Sequence, residues 1–177
     1  MKKILFLLGQ LDDPDVDWLV SKGSRRRLDK GAVLIAEGGP ISDLFIVLDG
    51  ALEVKIAALG VVDQMTCGDV AGEISFLDNR PPSATVAALQ PSVVLAVPRV
   101  TMAAKLGTDA AFAARFYKSL AMFLSHRLRV RNQQRKETQT AIDLDLDLND
   151  ELDGDVLDEI HLAAGRFDRV LRRLLGT

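Results

Sequence analysis

Two short stretches hold the residue types best suited to chemistry: Gly72-Glu73-Ile74-Ser75-Phe76-Leu77 and, a few positions on, Ser83-Ala84-Thr85-Val86. A short helix starting near Gly72 would aim free backbone N–H groups at an anion. Gly72 permits close backbone approach and an unusual φ. Ser83 adds a hydroxyl and a backbone N–H, and Ala84 a backbone N–H. Glu73 supplies the complementary chemistry, a carboxylate that accepts a proton donor. Taken alone, the first six residues also describe an ordinary turn and helix start.

Other chemistries find little support. His126 and His161 are isolated from each other and from any cluster of metal-ligating types, and Cys67 has no histidine nearby to activate it. Asp143-x-Asp145-x-Asp147 imitates a calcium loop, but its sixth position is Leu148 where glycine is needed and its twelfth is Gly154 rather than glutamate. No catalytic constellation or metal site is expected, so the reading is non-enzymatic.

These residues need a scaffold, and 177 residues that are 48% apolar suit one domain with appendages. The formal charge of −3 exerts no global pull on nucleic acid. A single cysteine excludes an internal disulfide and fits a reducing cytoplasm. The apolar start, Ile4-Leu5-Phe6-Leu7-Leu8, lacks a cleavage site and reads as packed on the domain. No run reaches the roughly 18–20 apolar residues that span a membrane.

Residues 12–22 predict a short helix, with Asp13 as N-cap and Pro14 in the first helical position. From 24 to 98, short β-branched runs alternate with glycine turns: Ala32–Ile35, Leu44–Leu48, Ala51–Ile56, Val61–Thr66, Ala84–Leu89 and Val93–Val97. Asp49-Gly50 signals a tight hairpin. Many short strands without intervening helices indicate a mainly β, antiparallel jelly roll. Residues 109–137 then form one helix capped by Asp109, with Phe112, Phe116, Leu120, Phe123 or Leu124, and Leu128 on an apolar stripe. About 29 residues make a rod of roughly 43 Å, long enough to face both its own β core and a second subunit. An acidic linker (138–155) leads to an amphipathic helix over 156–175, capped by Asp155 and interrupted by Gly165. Nine acidic residues lie between Asp143 and Glu159, and seven basic ones between Arg115 and Lys136. The acidic segment either docks on the basic helix or both faces are solvated. Arg25-Arg26-Arg27 reads as an exposed strand face.

The first stretch, with Cys67-Gly68-Asp69-Val70 before it and Ser83-Ala84-Thr85 after it, resembles the phosphate-binding cassette of cyclic nucleotide-binding domains. Leu28 to Gly38 and Asp43 to Val54 resemble the family's opening strands, and the likeness runs in order over about residues 11–137. It implies a β-roll flanked by helices, with Val70, Ala71, Gly72, Glu73, Ile74, Ser75, Ser83, Ala84 and Thr85 around the ligand and Glu73 on the ribose 2′-hydroxyl. The ligand it implies is cyclic AMP, cyclic GMP or a related cyclic dinucleotide. The family usually has an arginine directly before the Ser-Ala-Thr to pair with the phosphate. Here that position is Pro82, which offers neither charge nor N–H. Losing a hydrogen bond to a charged group costs about 1.5–3 kcal/mol, roughly 10- to 150-fold in affinity. Arg80, two residues upstream, either replaces it or is a solvated loop residue.

The long helix resembles the dimerisation helix of the catabolite activator and fumarate-nitrate regulator family, which implies a homodimer through residues 109–137. Those regulators continue into a helix-turn-helix; one linker and one helix are too little for it, so no direct DNA contact is expected. The expected function is a sensor that signals through its dimer and C-terminal helices to a protein partner. The alternative is a degenerate domain acting as a dimeric adaptor without nucleotide.

Overall fold

The computed structural model describes residues 8–140 and 154–176, with side chains over 8–125, 128–129 and 162–176. Helix α1 (Asp13–Lys22) precedes eight strands: β1 (Ser24–Leu28), β2 (Val33–Ile35), β3 (Asp43–Asp49), β4 (Ala51–Ile56), β5 (Gly60–Thr66), β6 (Val70–Ala71), β7 (Thr85–Ala88) and β8 (Ser92–Pro98). Helix α2 (Glu73–Asp78) sits between β6 and β7, and α3 (Arg99–Thr108), α4 (Ala110–Thr140) and α5 (Gly154–Leu175) follow the last strand.

The strands form two four-stranded antiparallel sheets, ordered β1-β8-β3-β6 and β2-β7-β4-β5. Side chains alternate across a strand, so β3 sends Phe45 and Val47 into the core between the sheets and Leu44, Ile46 and Leu48 into a second core under the helices. Leu95 and Val97 of β8 join the second core and Val94 and Ala96 the first. A strand covered on both faces explains why Leu44–Leu48 reads as an unbroken apolar run. Gly50 closes the β3–β4 hairpin at φ +89°, where a Cβ would strike Ser92.

Three helix-level expectations change. The N-cap of α1 is Asp12, not Asp13; the Asp12 N–H donates to Asp15 Oδ2 at 3.0 Å in a capping box. Residues 99–108, left without an element by the sequence, form α3, which buries Met102. Asp109 then serves two helices. Its N–H donates to Lys105 O to end α3, and its Oδ1 accepts the Phe112 N–H at 2.9 Å to start α4. Leu128 departs from the predicted stripe: Phe112, Phe116, Leu120 and Phe123 are buried, whereas Leu128 is 64% exposed.

The C-terminal helix lies on its own domain. Ala163, Phe167 and Val170 are buried against Leu8, Leu11 and Val16. Its arginines reach α1: Arg166 Nε donates to Asp13 Oδ1 at 2.8 Å, Arg169 to Asp13 Oδ2 at 3.1 Å and Arg173 to Asp17 Oδ1 at 3.0 Å. Helix α5 runs unbroken through Gly165. The proposed docking of the acidic segment, and the packing of the first seven residues, lie outside the described residues. Among the described residues no helix is long and apolar enough to cross a membrane.

Candidate functional site

The two stretches singled out by residue type meet in space. A cleft of about 530 Å³, counting the space open to solvent, is lined by Val70 to Ser75 on one side and Pro82, Ser83 and Ala84 on the other, with Ile35, Val54, Asp63, Met65 and Val86 completing the walls. Chain order brings this about. Strand β6 pairs with β3 through Phe45↔Ala71 and Ile46↔Val70, which delivers the start of α2 to the open edge of one sheet. The loop before β7 then crosses to the other sheet, and the Gly38 N–H donates to Pro82 O at 2.8 Å to hold it there.

Gly72 is the N-cap of α2 and sits at φ +88°. A Cβ there would lie 2.7 Å from Ile41 Cδ1 and 3.2 Å from Asp43 O, so both the conformation and the space call for glycine. Its carbonyl accepts the Phe76 N–H at 3.0 Å. Glu73 is only 5% exposed although it lines the cleft, and Ser75 is equally buried. Of the sequence-derived candidates, Val70, Ala71, Gly72, Glu73, Ile74, Ser75, Pro82, Ser83 and Ala84 line the cleft; Arg80 and Thr85 do not. Arg80 is exposed and its N–H is held by Asp78 Oδ1 at 3.0 Å. Thr85 Oγ1 accepts the Glu37 N–H at 3.1 Å, joining the loop after β2 to β7.

Two residues that sequence reasoning missed matter to the site. Asp63 stands at the rim because β5 pairs Val54 with Asp63 and Leu52 with Met65, placing Asp63 and Met65 on one face. The period-2 pattern of β5 carries that signal. The other is Arg99, at the start of α3. Its Nη2 donates to Ser75 O at 2.7 Å and to Asn79 Oδ1 at 3.2 Å, its Nη1 to Ile41 O at 3.3 Å, and its guanidinium lies 5.7 Å from the Phe76 ring centroid. A cation on the last carbonyls of α2 is favourable. No local pattern announces it, because its partners are 20 to 58 residues away.

From the cleft, packed rings lead outward. Phe76 meets Phe116 of α4 edge-on at 5.9 Å between centroids, Phe116 stacks on Phe112 at 5.9 Å, and Phe112 meets Trp18 of α1 at 5.5 Å. On the same helix, Arg115 donates to Asp15 of α1 from Nε at 2.7 Å and from Nη2 at 3.1 Å. That hydrogen bonding raises the guanidinium pKa above its ordinary value. Helix α1 is thus held by α4 on one flank and by the α5 arginines on the other.

Residues 25–109 match the family of cyclic nucleotide-binding domains, and the fold is the β-roll of that family with its flanking helices. The cAMP-dependent protein kinase regulatory subunit of Blastocladiella emersonii is 32% identical over 100 residues, covering 54% of this chain and 25% of that protein. The chain thus spans about a quarter of the length of this curated relative. The regulatory domain of Toxoplasma gondii PKA, solved with cAMP, superimposes with a TM-score of 0.52 at 29% identity over 56% of this chain and 39% of that one. The Thermus thermophilus catabolite activator protein shares the fold with a TM-score of 0.59 at 20% identity, over 94% of this chain and 84% of that one.

Proposed function

We propose that this chain is a non-enzymatic regulatory domain whose cleft senses a ligand of the cyclic nucleotide class, such as cyclic AMP, cyclic GMP or a related cyclic dinucleotide. The observation that carries this reading is the convergence of Gly72, Glu73 and Ser75 with Ser83 and Ala84 on one cleft. In it, Glu73 takes the sugar hydroxyl, and the Ser83 and Ala84 N–H groups with the Ser83 hydroxyl take the opposite edge. Ligand binding shifts α2, and Arg99 and Phe76 pass the shift to α3 and α4. This works only if the ligand binds the two arrangements with different affinity.

The reading extends to a homodimer through α4. Tyr117 is 48% and Leu128 64% exposed, eleven residues apart and therefore on one side of the helix, turned away from the buried Phe112 and Phe116. The output surface is α5 with α1, offered to a protein partner and not to DNA.

A second reading, a dimeric adaptor that binds no nucleotide, draws on Pro82, which is buried in the cleft wall and supplies no donor. A thermal-shift panel of cyclic AMP, cyclic GMP, cyclic dinucleotides and ribonucleosides separates the two. A ligand at 100 times its dissociation constant adds about 2.7 kcal/mol. Glu73→Ala should remove the shift that wild type shows. An equal shift in both proteins defeats the role of Glu73, and a flat panel favours the adaptor.

A further inference from the structure

One side chain on the cleft floor is placed to read a base. Val54 of β4 pairs with Asp63 of β5 and with Val86 of β7, and Val86 pairs with Ile35 of β2. Directly paired residues share a sheet face, and all four line the cleft, so they form one row across its floor. Ile35, Val54 and Val86 are apolar, and Asp63, at the outer end, is the row's one hydrogen-bonding side chain. Ser83 and Ala84 lead into β7. Two strand spacings, about 10 Å, separate β7 from β5, which is the scale of a nucleotide from phosphate to base edge. The β4–β5 pairing slips beside Asp63: Val54 pairs with Asp63 and Lys55 with Val61, so Val62 is an extra residue. A bulge of this kind bends its strand and re-aims a side chain beside a site. The Gln64 N–H donates to Asp63 Oδ1 at 2.8 Å and orients the carboxylate.

An apolar floor takes the flat face of a purine and leaves the ring edge to the group at the end of the row. A carboxylate only accepts, and each of its oxygens accepts more than one donor. Guanine presents two adjacent donors on one edge, N1–H and the N2 amino group. Adenine presents one amino group beside N1, an acceptor whose lone pair would face the carboxylate. Hydrogen bonds to an ionised acceptor are the stronger kind, and two in parallel add geometric specificity. We infer that Asp63 reads the base and that the cleft prefers a guanine cyclic nucleotide to the adenine one. The inference rests on the cyclic nucleotide reading above and adds to it the residue that chooses the base.

Calorimetric titration of the full chain with cyclic GMP, cyclic AMP and cyclic IMP tests it. Cyclic GMP should bind about tenfold more tightly than cyclic AMP, a difference of about 1.4 kcal/mol. Cyclic IMP keeps N1–H, lacks the N2 amino group and should fall between them. Asp63→Asn replaces one acceptor by a donor, which suits the adenine edge, so it should abolish or invert the preference. Asp63→Ala should bring cyclic GMP down to the affinity of cyclic AMP. Asp63 is exposed, so neither substitution disturbs the core. Cyclic AMP that binds wild type as tightly as cyclic GMP overturns the inference and leaves the sensing reading intact. A guanine preference that survives both substitutions does the same, as does a chain that takes only a cyclic dinucleotide. No binding by any cyclic mono- or dinucleotide overturns both.

Discussion

Arg99 Nη2 donates to the carbonyl of Ser75 at 2.7 Å, so the first residue of α3 holds the end of the short helix that lines the cleft. The same guanidinium also reaches Asn79 and Ile41. It joins the start of α3 to helix α2 and to the loop before β3, and the cleft helix cannot move without changing its contacts. Arg99→Met keeps the aliphatic stem over Phe76 and removes the donors. The variant should lose about 1.5–3 kcal/mol, the range for hydrogen bonds to a charged group. Ligand should still enter the cleft, but hydrogen exchange in α3 and α4 should no longer respond to it. Unchanged ligand-induced protection in those helices would remove Arg99 from the coupling.

Much of this arrangement was legible in residue order. Period-2 runs and glycine turns located six strands, and Gly72 with Glu73 located the cleft, because turns and strand faces are local properties. Helix α3 was not legible. It buries Met102 but leaves Val100 exposed, so it shows no wide apolar stripe. The partner of α5 was not legible either. Phe167 and Val170 announce an apolar face, but nothing local says whether a second chain or α1 covers it. The arginines of α5 find their partners in Asp13 and Asp17, more than 150 residues away.

The docking of α5 should depend on acid in one direction. Hydrogen bonds from Arg166 and Arg169 hold the Asp13 carboxyl below its ordinary value of 3.8. A carboxylate whose pKa is lower folded than unfolded stabilises above the unfolded value, and the gain disappears as pH falls through the folded one. Exchange protection over residues 162–175 should therefore be level above about pH 4 and fall as the solution is acidified further. Asp13→Asn should flatten this part of the profile. Asp13 is half exposed, so high salt should weaken the same contact. A profile that is equally steep in the variant would exclude Asp13 as its origin.

Gly165 lies inside α5, and a Cβ added there meets nothing within 4 Å. Glycine in a helix interior costs roughly 0.5–1 kcal/mol relative to alanine. Gly165→Ala should therefore stabilise the docked helix by about that amount and slow exchange across α5, with the β-roll unaffected. Destabilisation would mean that the helix needs a bend at this position.

The Asp15–Arg115 pair should show an asymmetry between its two halves. Asp15 is 5% exposed on its side chain and Arg115 30%. Removing Asp15 leaves a guanidinium that still touches water and Asp12 Oδ2 at 3.3 Å. Removing Arg115 leaves a buried carboxylate with the Asp12 N–H as its remaining described donor. Stranding the more buried partner costs more, because a buried group left unsatisfied bears its full desolvation penalty. Asp15→Asn should cost about 1–2 kcal/mol, since the amide oxygen can keep the Asp12 N–H. Arg115→Met should cost about 3 kcal/mol, near the lower end for breaking a buried pair. In urea unfolding, the double variant should fall short of the sum by 1 kcal/mol or more, within the roughly 0.5–3 kcal/mol found for residues in one network. Additive effects within about 0.5 kcal/mol would show that the Asp15–Arg115 pair contributes nothing to holding α1 on α4.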